Sequence, residues 1–400
     1  MVSLAQSRAM HFNHPIQARV QSRDRRLIHS SDIMARKRII LDPKLHLERP
    51  VFYHCVLRML DQNKLIDTVN KEAFRELMRE QEVFSGCRVL TYCLMPDHVH
   101  LLIEVPPRPD EPISEAELIR RYTVNATPES VDFLQVSLKR AKREGDAAQR
   151  AALVDPITNR MYDLIQFVKT LSQKFTRRYN RRNNRRGTLI EMRYQSVVVE
   201  SGLGSRLVAG YIDMNPVRAG LVETPEEYRW SGYGEAMDGS SSGQTRAQEG
   251  LVRAWLAATR PNADARDWKG TTRRMGIGEA HAAMLTGKEV KAFPELEDGV
   301  TRALRESLLK SELPEAEVET RISETELSRH KAVGAAVKSR LRALSVGLAV
   351  GERPFCELIF KDYRDQFGSK REEGARAILD GKVNLSKFTG LWTLRFLANG

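Results

Sequence analysis

The stretch 98–105 reads His-Val-His-Leu-Leu-Ile-Glu-Val, and its odd-numbered positions are all apolar. This period of two predicts a β-strand with one face in a core. His98 and His100 then project from the same side, with Cα atoms roughly 6.6 Å apart at a rise of about 3.3 Å per residue. Two imidazoles at that spacing can converge on one divalent ion. Two hydrogen-bonded histidines at a strand edge would show the same spacing, so a metal site needs support from elsewhere in the chain.

A second segment, about a hundred residues later, offers a reactive group. Ser205 predicts an N-cap and Pro216 discourages further helix, so we expect a short helix over about 205–215. Tyr211 and Asn215 are then one turn apart on one helix face. Taken alone, the two residues also fit a half-buried helix tyrosine and a C-capping asparagine.

A tyrosine beside a two-histidine metal site suits attack on a phosphodiester. A divalent cation polarises the phosphoryl group, and the phenol oxygen of Tyr211 can attack it and retain the strand end as a phosphotyrosine. A phenol has an ordinary pKa near 10, so Tyr211 needs a nearby cation to lose its proton at neutral pH. The chemistry requires no external energy source.

Four blocks in the same order resemble the single-tyrosine HUH transposases, specifically the IS200-like branch called REP-associated tyrosine transposases. They are the Met-Pro-Asp-His-Val-His-Leu-Leu of 95–102, the Gly-Thr-Leu with Glu and Arg-Tyr of 187–194, the Tyr-Ile-x-x-Asn-Pro-Val-Arg-Ala-Gly-Leu-Val of 211–222, and the Tyr-Arg-Trp-Ser-Gly-Tyr of 228–233. Ordered blocks of this kind are far more specific than any one motif. Two positions differ from the family pattern: Ile190 stands where the family usually has Trp, and Gly232 where it usually has Ser.

The resemblance implies roles for individual residues. His98 and His100 would be metal ligands, Tyr211 the nucleophile, and Asn215 a third ligand through its amide oxygen. It further implies Mg²⁺ or Mn²⁺ as cofactor and, as substrate, single-stranded DNA beside the hairpin of a repetitive palindromic element. The expected intermediate is a 5′-phosphotyrosine with a free 3′-hydroxyl.

Positive charge is concentrated in one region of the chain. Residues 139–193 hold 15 Lys or Arg against 5 Asp or Glu, whereas the whole chain has a net charge of +12. A solvated helix end would explain such a run, but guanidinium groups also match phosphate oxygens. The residues predicted to contact DNA are Arg177, Arg178, Arg181, Arg182, Arg185, Arg186, Arg193 and Tyr194.

The expected fold class is α+β, a ferredoxin-like antiparallel sheet with packed helices followed by a mainly helical C-terminal domain. Strands near 51–57 and 88–94, a helix near 71–82, the 98–105 strand, and helices near 113–122 and 161–179 follow a β-α-β-β-α order. A helical insertion is expected over 123–160. This order is typical of the core fold that the resemblance implies.

The chain divides into three predicted parts. Residues 1–40 carry 8 basic and 2 acidic residues and predict a flexible basic extension, of which 1–33 are either an over-extended gene start or a basic tail. Residues 41–238 would form the transposase domain. After the Gly-Ser-Ser-Ser-Gly of 239–243, residues 239–400 would form a helical accessory domain, with helical spacing around 249–259, 299–309 and 333–348. A helix-turn-helix in this part has no clear turn signature.

The chain has no apolar run of 18 residues and no secretory signal, which predicts a cytoplasmic protein without membrane contact. The resemblance places it in the bacterial cytoplasm at the nucleoid, as a monomer or a homodimer.

Two other functions are alternatives to the transposase hypothesis. One is a domesticated repeat-binding protein with weak or regulatory nuclease activity, held to DNA by the arginines and by stacking on Tyr179, Tyr194 or Trp230. The other is a histidine-triad hydrolase, which Leu102 at the third position disfavours.

Overall fold

The computed structural model describes residues 38–41, 50–60, 66–191, 193–256, 281, 284–285, 299–310, 313–338, 341–380 and 383–396. All of them belong to one unit, Arg38–Gly400. Most of the predicted N-terminal extension lies outside the described residues.

The strands comprise a core group of four, β1 to β4, and five shorter ones nearer the C-terminus. Their bounds are β1 Val51–Arg58, β2 Arg88–Leu94, β3 His98–Val105, β4 Gln195–Val199, β5 Ala349–Glu352, β6 Ala375–Ala377, β7 Leu379–Asp380, β8 Val383–Asn384 and β9 Leu391–Leu394.

Helices connect and cover these strands. Their bounds are α1 Thr68–Ser85, α2 Glu115–Thr123, α3 Pro128–Glu144, α4 Ala147–Thr158, α5 Leu164–Arg182, α6 Leu203–Asp213, α7 Asn215–Arg218, α8 Gly232–Met237, α9 Gln244–Leu256, α10 Gly299–Leu309, α11 Glu315–Lys338, α12 Ala343–Val346, α13 Arg353–Asp362 and α14 Leu385–Thr389. None of the described helices is both long and apolar enough to cross a bilayer.

The core group confirms the ferredoxin-like prediction. The spatial order is β4-β1-β3-β2, with every neighbouring pair antiparallel. The order β1-α1-β2-β3-α5-β4 along the chain produces this arrangement when each helix carries the chain past one intervening strand. The predicted hairpin between β2 and β3 is present, closed by a hydrogen bond from Met95 N to His98 O. The insertion between β3 and α5 is helical, as expected, and consists of α2, α3 and α4.

The sheet separates two cores. Tyr53, Cys55, Leu57, Val99 and Leu101 point toward α1 and α5, where Phe74, Phe167 and Phe175 complete an apolar cluster. The alternate positions of the same strands face α6, α8 and α9. These include His54, His98 and His100, so the three imidazoles lie on the face that α6 covers.

Strands from the C-terminal part extend this same sheet. β5 pairs in parallel with β4 through Val198 and Val199, and β9 and β6 follow it in an antiparallel arrangement. The described residues therefore form a seven-stranded sheet in the order β2-β3-β1-β4-β5-β9-β6. The sequence predicted helices after residue 238, and helices α9, α10, α11 and α13 lie in that part of the chain. The strands after residue 348 were not predicted, because strands of two to four residues are too short to show a clear alternation of apolar and polar residues.

The helix that carries Tyr211 begins earlier than the sequence predicted. It spans Leu203–Asp213 with Gly202 as its N-cap, and Ser205 lies inside the first turn, where its Oγ accepts a hydrogen bond from Gly202 N at 3.1 Å. The prediction of Ser205 as the N-cap was wrong. Gly202 has φ of 97°, a conformation open to glycine but not to most residues. The helix of Tyr211 stops before Pro216, as predicted, but it ends at Asp213, so the prediction that Asn215 shares this helix was wrong. Asn215 begins α7, and Pro216 stands in the first turn of α7, where its missing N–H costs nothing.

Candidate active site

Three imidazoles and one phenol meet between β1, β3 and α6. The ring centroids of His98 and His100 are 4.8 Å apart, and those of His54 and His100 are 5.1 Å apart. The Tyr211 ring lies 6.3 Å from that of His100 and 6.1 Å from that of His54. Residues more than a hundred positions apart in the chain are thus brought into one cluster.

Sequence reasoning missed His54. It lies in β1, where seven of the eight residues are buried, so the strand shows no alternation to mark which face His54 occupies. The register pairs His54 with Leu102 and Val56 with His100, which makes His54 and His100 diagonal neighbours. The one signal available was its position in the strand that precedes a predicted ferredoxin-like hairpin.

Burial and the neighbouring groups set the protonation state of His54 and His100. His54 is completely buried and His100 is 4% exposed. Burial lowers the pKa of His54 to about 4, and burial together with the neighbouring His54 lowers the pKa of His100 well below its ordinary value. The two imidazoles are therefore neutral at physiological pH, which is the form that ligates metals.

The carboxylate of Asp97 orients His98. Asp97 Oδ1 lies 2.7 Å from His98 Nδ1, and this hydrogen bond lowers the pKa of Asp97. An ionised carboxylate only accepts hydrogen bonds, so Nδ1 carries the proton and Nε2 is the nitrogen that can ligate a metal. A carboxylate behind a ligating histidine is a common arrangement at metal sites.

The donor set fits a divalent transition or alkaline-earth ion with a partial protein shell. His98 and His100 supply two imidazole nitrogens. In the part of the chain that the structure describes, no three His, Cys, Asp or Glu side chains form a ready-made metal site. An ion here would therefore complete its coordination with Asn215, water or substrate oxygens, which suits a catalytic rather than a structural site.

Arg218 connects Tyr211 with Asn215. Its guanidinium lies over the Tyr211 ring, 4.1 Å from the centroid, and Nη2 donates to Asn215 Oδ1 at 2.8 Å and to the Tyr211 carbonyl at 2.6 Å. Nη1 donates to the carbonyl of Val337 in α11. Asn215 Nδ2 is buried without a hydrogen-bond partner among the described residues. Tyr211 itself is 7% exposed.

Comparison with known proteins gives a partial match. Residues 50–121, which run from β1 through the two-histidine strand into α2, match the family model described as transposase IS200 like. The chain is similar to IS200-like transposases. Among solved structures, one titled as a REP-associated tyrosine transposase bound to a REP hairpin aligns with a TM-score of 0.30 and 13% identity, over 49% of this chain and 80% of that one. No curated protein matches significantly.

The IS200-like segment contains His54, His98 and His100, whereas Tyr211 and Asn215 come from beyond it.

A buried polar cluster fixes the end of the helix that carries Tyr211. Asp213 accepts hydrogen bonds from Thr91 Oγ1 in β2 at 2.7 Å and from Tyr233 N at 3.2 Å, and its second oxygen lies 2.9 Å from His281 Nε2. Anchored in this way, α6 keeps Tyr211 directed toward the histidines.

The predicted DNA-binding arginines fall into two groups. Arg178 pairs with Glu76 at 2.8 Å, Arg182 pairs with Asp67 at 3.1 Å, and Arg185 donates to Thr188 O at 2.8 Å. Arg178 and Arg182 therefore already have acidic partners, supplied by Glu76 of α1 and by Asp67, its N-cap, which are distant in sequence. Exposed side chains at the same helix end belong to Arg177, Arg181 and Arg186.

The aromatic residues considered for base stacking are mostly in the interior. Tyr179 and Tyr194 belong to the core on the α1 and α5 face, and the guanidinium of Arg38 covers the Tyr194 ring at 3.9 Å. Trp230 is partly buried beneath Lys71, whose Nζ lies 4.6 Å from the ring centroid. Ile190, which replaces the usual Trp of the family pattern, is buried and forms a bridge with Met59. Arg193 lies in the bend between that bridge and β4.

Proposed function

We propose that this protein is a metal-dependent transposase or nuclease that cleaves and rejoins single-stranded DNA beside a hairpin. The observation that carries the proposal is the position of Tyr211, whose ring lies 6.3 Å from that of His100. The proposed nucleophile and the proposed metal ligands thus lie together on one face of the sheet. When bound, Mg²⁺ or Mn²⁺ supplies a Lewis acid that polarises the scissile phosphate.

Residues of the chain itself would carry out the remaining parts of the reaction. Tyr211 Oη loses its proton and attacks the phosphorus, so that the Oη–P bond forms while the P–O3′ bond breaks, and the departing 3′-oxygen takes up one proton in exchange for the one that the phenol lost. The strand end is retained as a 5′-phosphotyrosine. Attack by a 3′-hydroxyl on that phosphotyrosine reverses the step and rejoins DNA. Arg218 places a positive charge 4.1 Å from the centroid of the phenol ring, where it would stabilise a phosphate bound at Tyr211 Oη.

The proposal gives the basic stretch the role of holding the DNA strand. Glu191 N donates to the carbonyl of Arg58, and Arg58 is the register partner of His98. The loop that follows α5 therefore lies at the end of the sheet where His98 begins β3. Because α5 packs on the face of the sheet opposite the histidines, a single strand bound along its exposed arginines would pass around this end of the sheet to reach the proposed metal site.

A hairpin-binding protein with weak or regulatory nuclease activity is the second candidate. The observation that favours it is the burial of Tyr211 beneath Arg218, since a phosphate must displace neighbouring groups before it can reach Oη. Both candidates bind the same DNA and differ in whether the covalent product forms efficiently.

Incubation of the purified chain with single-stranded hairpin oligonucleotides and Mn²⁺ or Mg²⁺ tests the proposal. We expect denaturing gels to show a protein-linked DNA product that requires the divalent ion and is absent in His100→Ala. Binding should survive in His100→Ala, because phosphate contacts lie elsewhere. Binding without any covalent product in the wild type would favour the second candidate, and full cleavage by both His98→Ala and His100→Ala would refute the metal assignment.

A further inference from the structure

We propose that His54 is a positioning residue that fixes the tautomer of His100 and thereby links the metal site to the C-terminal part of the chain. The inference rests on the proposed function, because it assigns the Nε2 atom of His100 to a metal. It concerns a residue that neither the HUH motif nor the tyrosine motif contains.

The first hydrogen bond defines the tautomer of His54. Its Nδ1 lies 2.5 Å from the backbone carbonyl oxygen of Leu344, in α12. A carbonyl oxygen only accepts hydrogen bonds, so His54 Nδ1 must carry a proton. His54 is completely buried against the His100 ring, 5.1 Å between centroids, where a doubly protonated ring would be a buried charge without a compensating partner among the described residues. Nε2 of His54 is therefore a hydrogen-bond acceptor.

The second hydrogen bond lets the tautomer of His54 determine the tautomer of His100. His54 Nε2 lies 2.9 Å from His100 Nδ1. Since His54 Nε2 has no proton to donate, His100 Nδ1 must be the donor. The lone pair of His100 is then on Nε2, the nitrogen on the other side of the ring.

The same outcome is reached independently at His98. There the Asp97 carboxylate, 2.7 Å from Nδ1, leaves Nε2 as the ligating atom. The two histidines of the motif thus use different supports, a carboxylate for His98 and a second imidazole backed by a carbonyl for His100, to present the same nitrogen. Groups behind a ligating histidine fix its tautomer and orientation, and their loss typically weakens metal binding by about 10- to 100-fold.

The Leu344 carbonyl, which accepts the hydrogen bond from His54, lies outside the IS200-like segment. α12 precedes β5, the strand that pairs with β4, and the backbone of Leu344 is held by Leu344 N donating to Leu341 O. The C-terminal strands therefore hold α12 against β1, where its carbonyl reaches His54. This gives the C-terminal part a direct role in ordering the metal site.

Nitrogen-15 NMR of the metal-free protein, labelled at histidine, tests the tautomer directly. We expect His100, assigned by comparison with His100→Gln, in the Nδ1-protonated form. In His54→Leu, which keeps the volume but removes both ring nitrogens, His100 should show a mixture of tautomers. In His54→Gln the side-chain oxygen can accept from His100 Nδ1, so the wild-type tautomer should be restored.

Titration with Mn²⁺ alone, followed by electron paramagnetic resonance, provides the second measurement. We expect His54→Leu to bind Mn²⁺ about 10- to 100-fold more weakly than the wild type and His54→Gln to recover most of the difference. Phe52→Leu is the matched control, since Phe52 is a buried residue on the same face of β1. This variant should retain both the tautomer and the Mn²⁺ affinity.

An Nε2-protonated His100 in the wild type would overturn the proposal, as would unchanged tautomer and affinity in His54→Leu. These outcomes differ from failure of the proposed function. The NMR result needs neither metal nor DNA, whereas the proposed function fails when wild-type protein forms no covalent DNA product.

Discussion

The guanidinium of Arg218 donates a hydrogen bond to the amide oxygen of Asn215 at 2.8 Å. The family resemblance assigns that oxygen to the metal, so in this structure the third ligand atom already has a cationic partner. A bound divalent ion would have to share the oxygen with Arg218 or displace the guanidinium from it. Among the described residues, no such competitor contacts His98 or His100, because their hydrogen-bond partners bind the opposite ring nitrogens.

Asn215→Ala should therefore weaken Mn²⁺ binding by less than about tenfold. His98→Ala and His100→Ala should weaken it by about 100-fold or more, since losing a ligand costs more than losing the group behind it, which typically costs about 10- to 100-fold. A water molecule can replace one shared amide oxygen, but it does not replace an imidazole. Isothermal titration of the three variants with Mn²⁺ measures the difference. Loss of binding in Asn215→Ala as severe as in His100→Ala would show that Asn215 is a principal ligand.

Tyr211→Phe should abolish the covalent DNA product while leaving hairpin binding and the melting temperature close to those of the wild type. The change removes one hydroxyl and preserves the ring that packs against His54, His100 and Arg218. Tyr179→Phe, a tyrosine in the opposite core, is the control and should still form the product. Peptide mapping of the wild-type adduct locates the attached residue, and an adduct on any residue other than Tyr211 would exclude the mechanism.

Replacing Arg177, Arg181 and Arg186 with Gln should reduce the salt dependence of single-strand binding. Each lost phosphate contact lowers the slope of log K against log salt by about 0.7, so the triple variant should lose up to about two. The control triple, Lys139, Lys142 and Arg143 to Gln on α3, removes the same charge from exposed positions and should leave the slope nearly unchanged. Equal slopes in both triples and the wild type would mean that the end of α5 faces away from DNA.

Glu200 should make folding stability depend on pH. Burial raises its pKa to about 7, and its carboxyl accepts a hydrogen bond from Glu352 N where β4 meets β5. Because the folded pKa exceeds the unfolded value, the native state holds the proton more tightly. This stabilisation is complete below about pH 4.5 and is lost as the pH rises through about 7.

Glu200→Gln keeps the hydrogen-bond acceptor and does not titrate. The free energy of unfolding of the wild type, relative to that of Glu200→Gln, should fall by up to about 3 kcal/mol between pH 4.5 and pH 8. Urea unfolding of both proteins at these pH values gives the comparison. A difference between the two proteins that stays constant with pH would show that Glu200 ionises normally in the folded chain.

The sequence alone determined the elements whose pattern is local. The alternation over 98–105 predicted a strand with His98 and His100 on one face, and the pattern over 205–215 predicted the helix that carries Tyr211, although Asn215 stands in the separate helix α7. The order of strands and helices up to α5 was enough to predict a ferredoxin-like sheet. These features follow from the periods of 2 and 3.6 residues, which are properties of neighbouring residues in the chain.

Tertiary structure decided which distant residues meet. His54 reaches His100 only through the register of β1 on β3, and Leu344 reaches His54 only because β5 joins the sheet beside β4. Likewise, Arg178 pairs with Glu76 of α1 and Arg182 with Asp67, the N-cap of α1, about a hundred residues away in sequence. Strand register and helix packing are set by the summed burial of whole faces rather than by any local pattern, so these partners cannot be inferred from residue spacing.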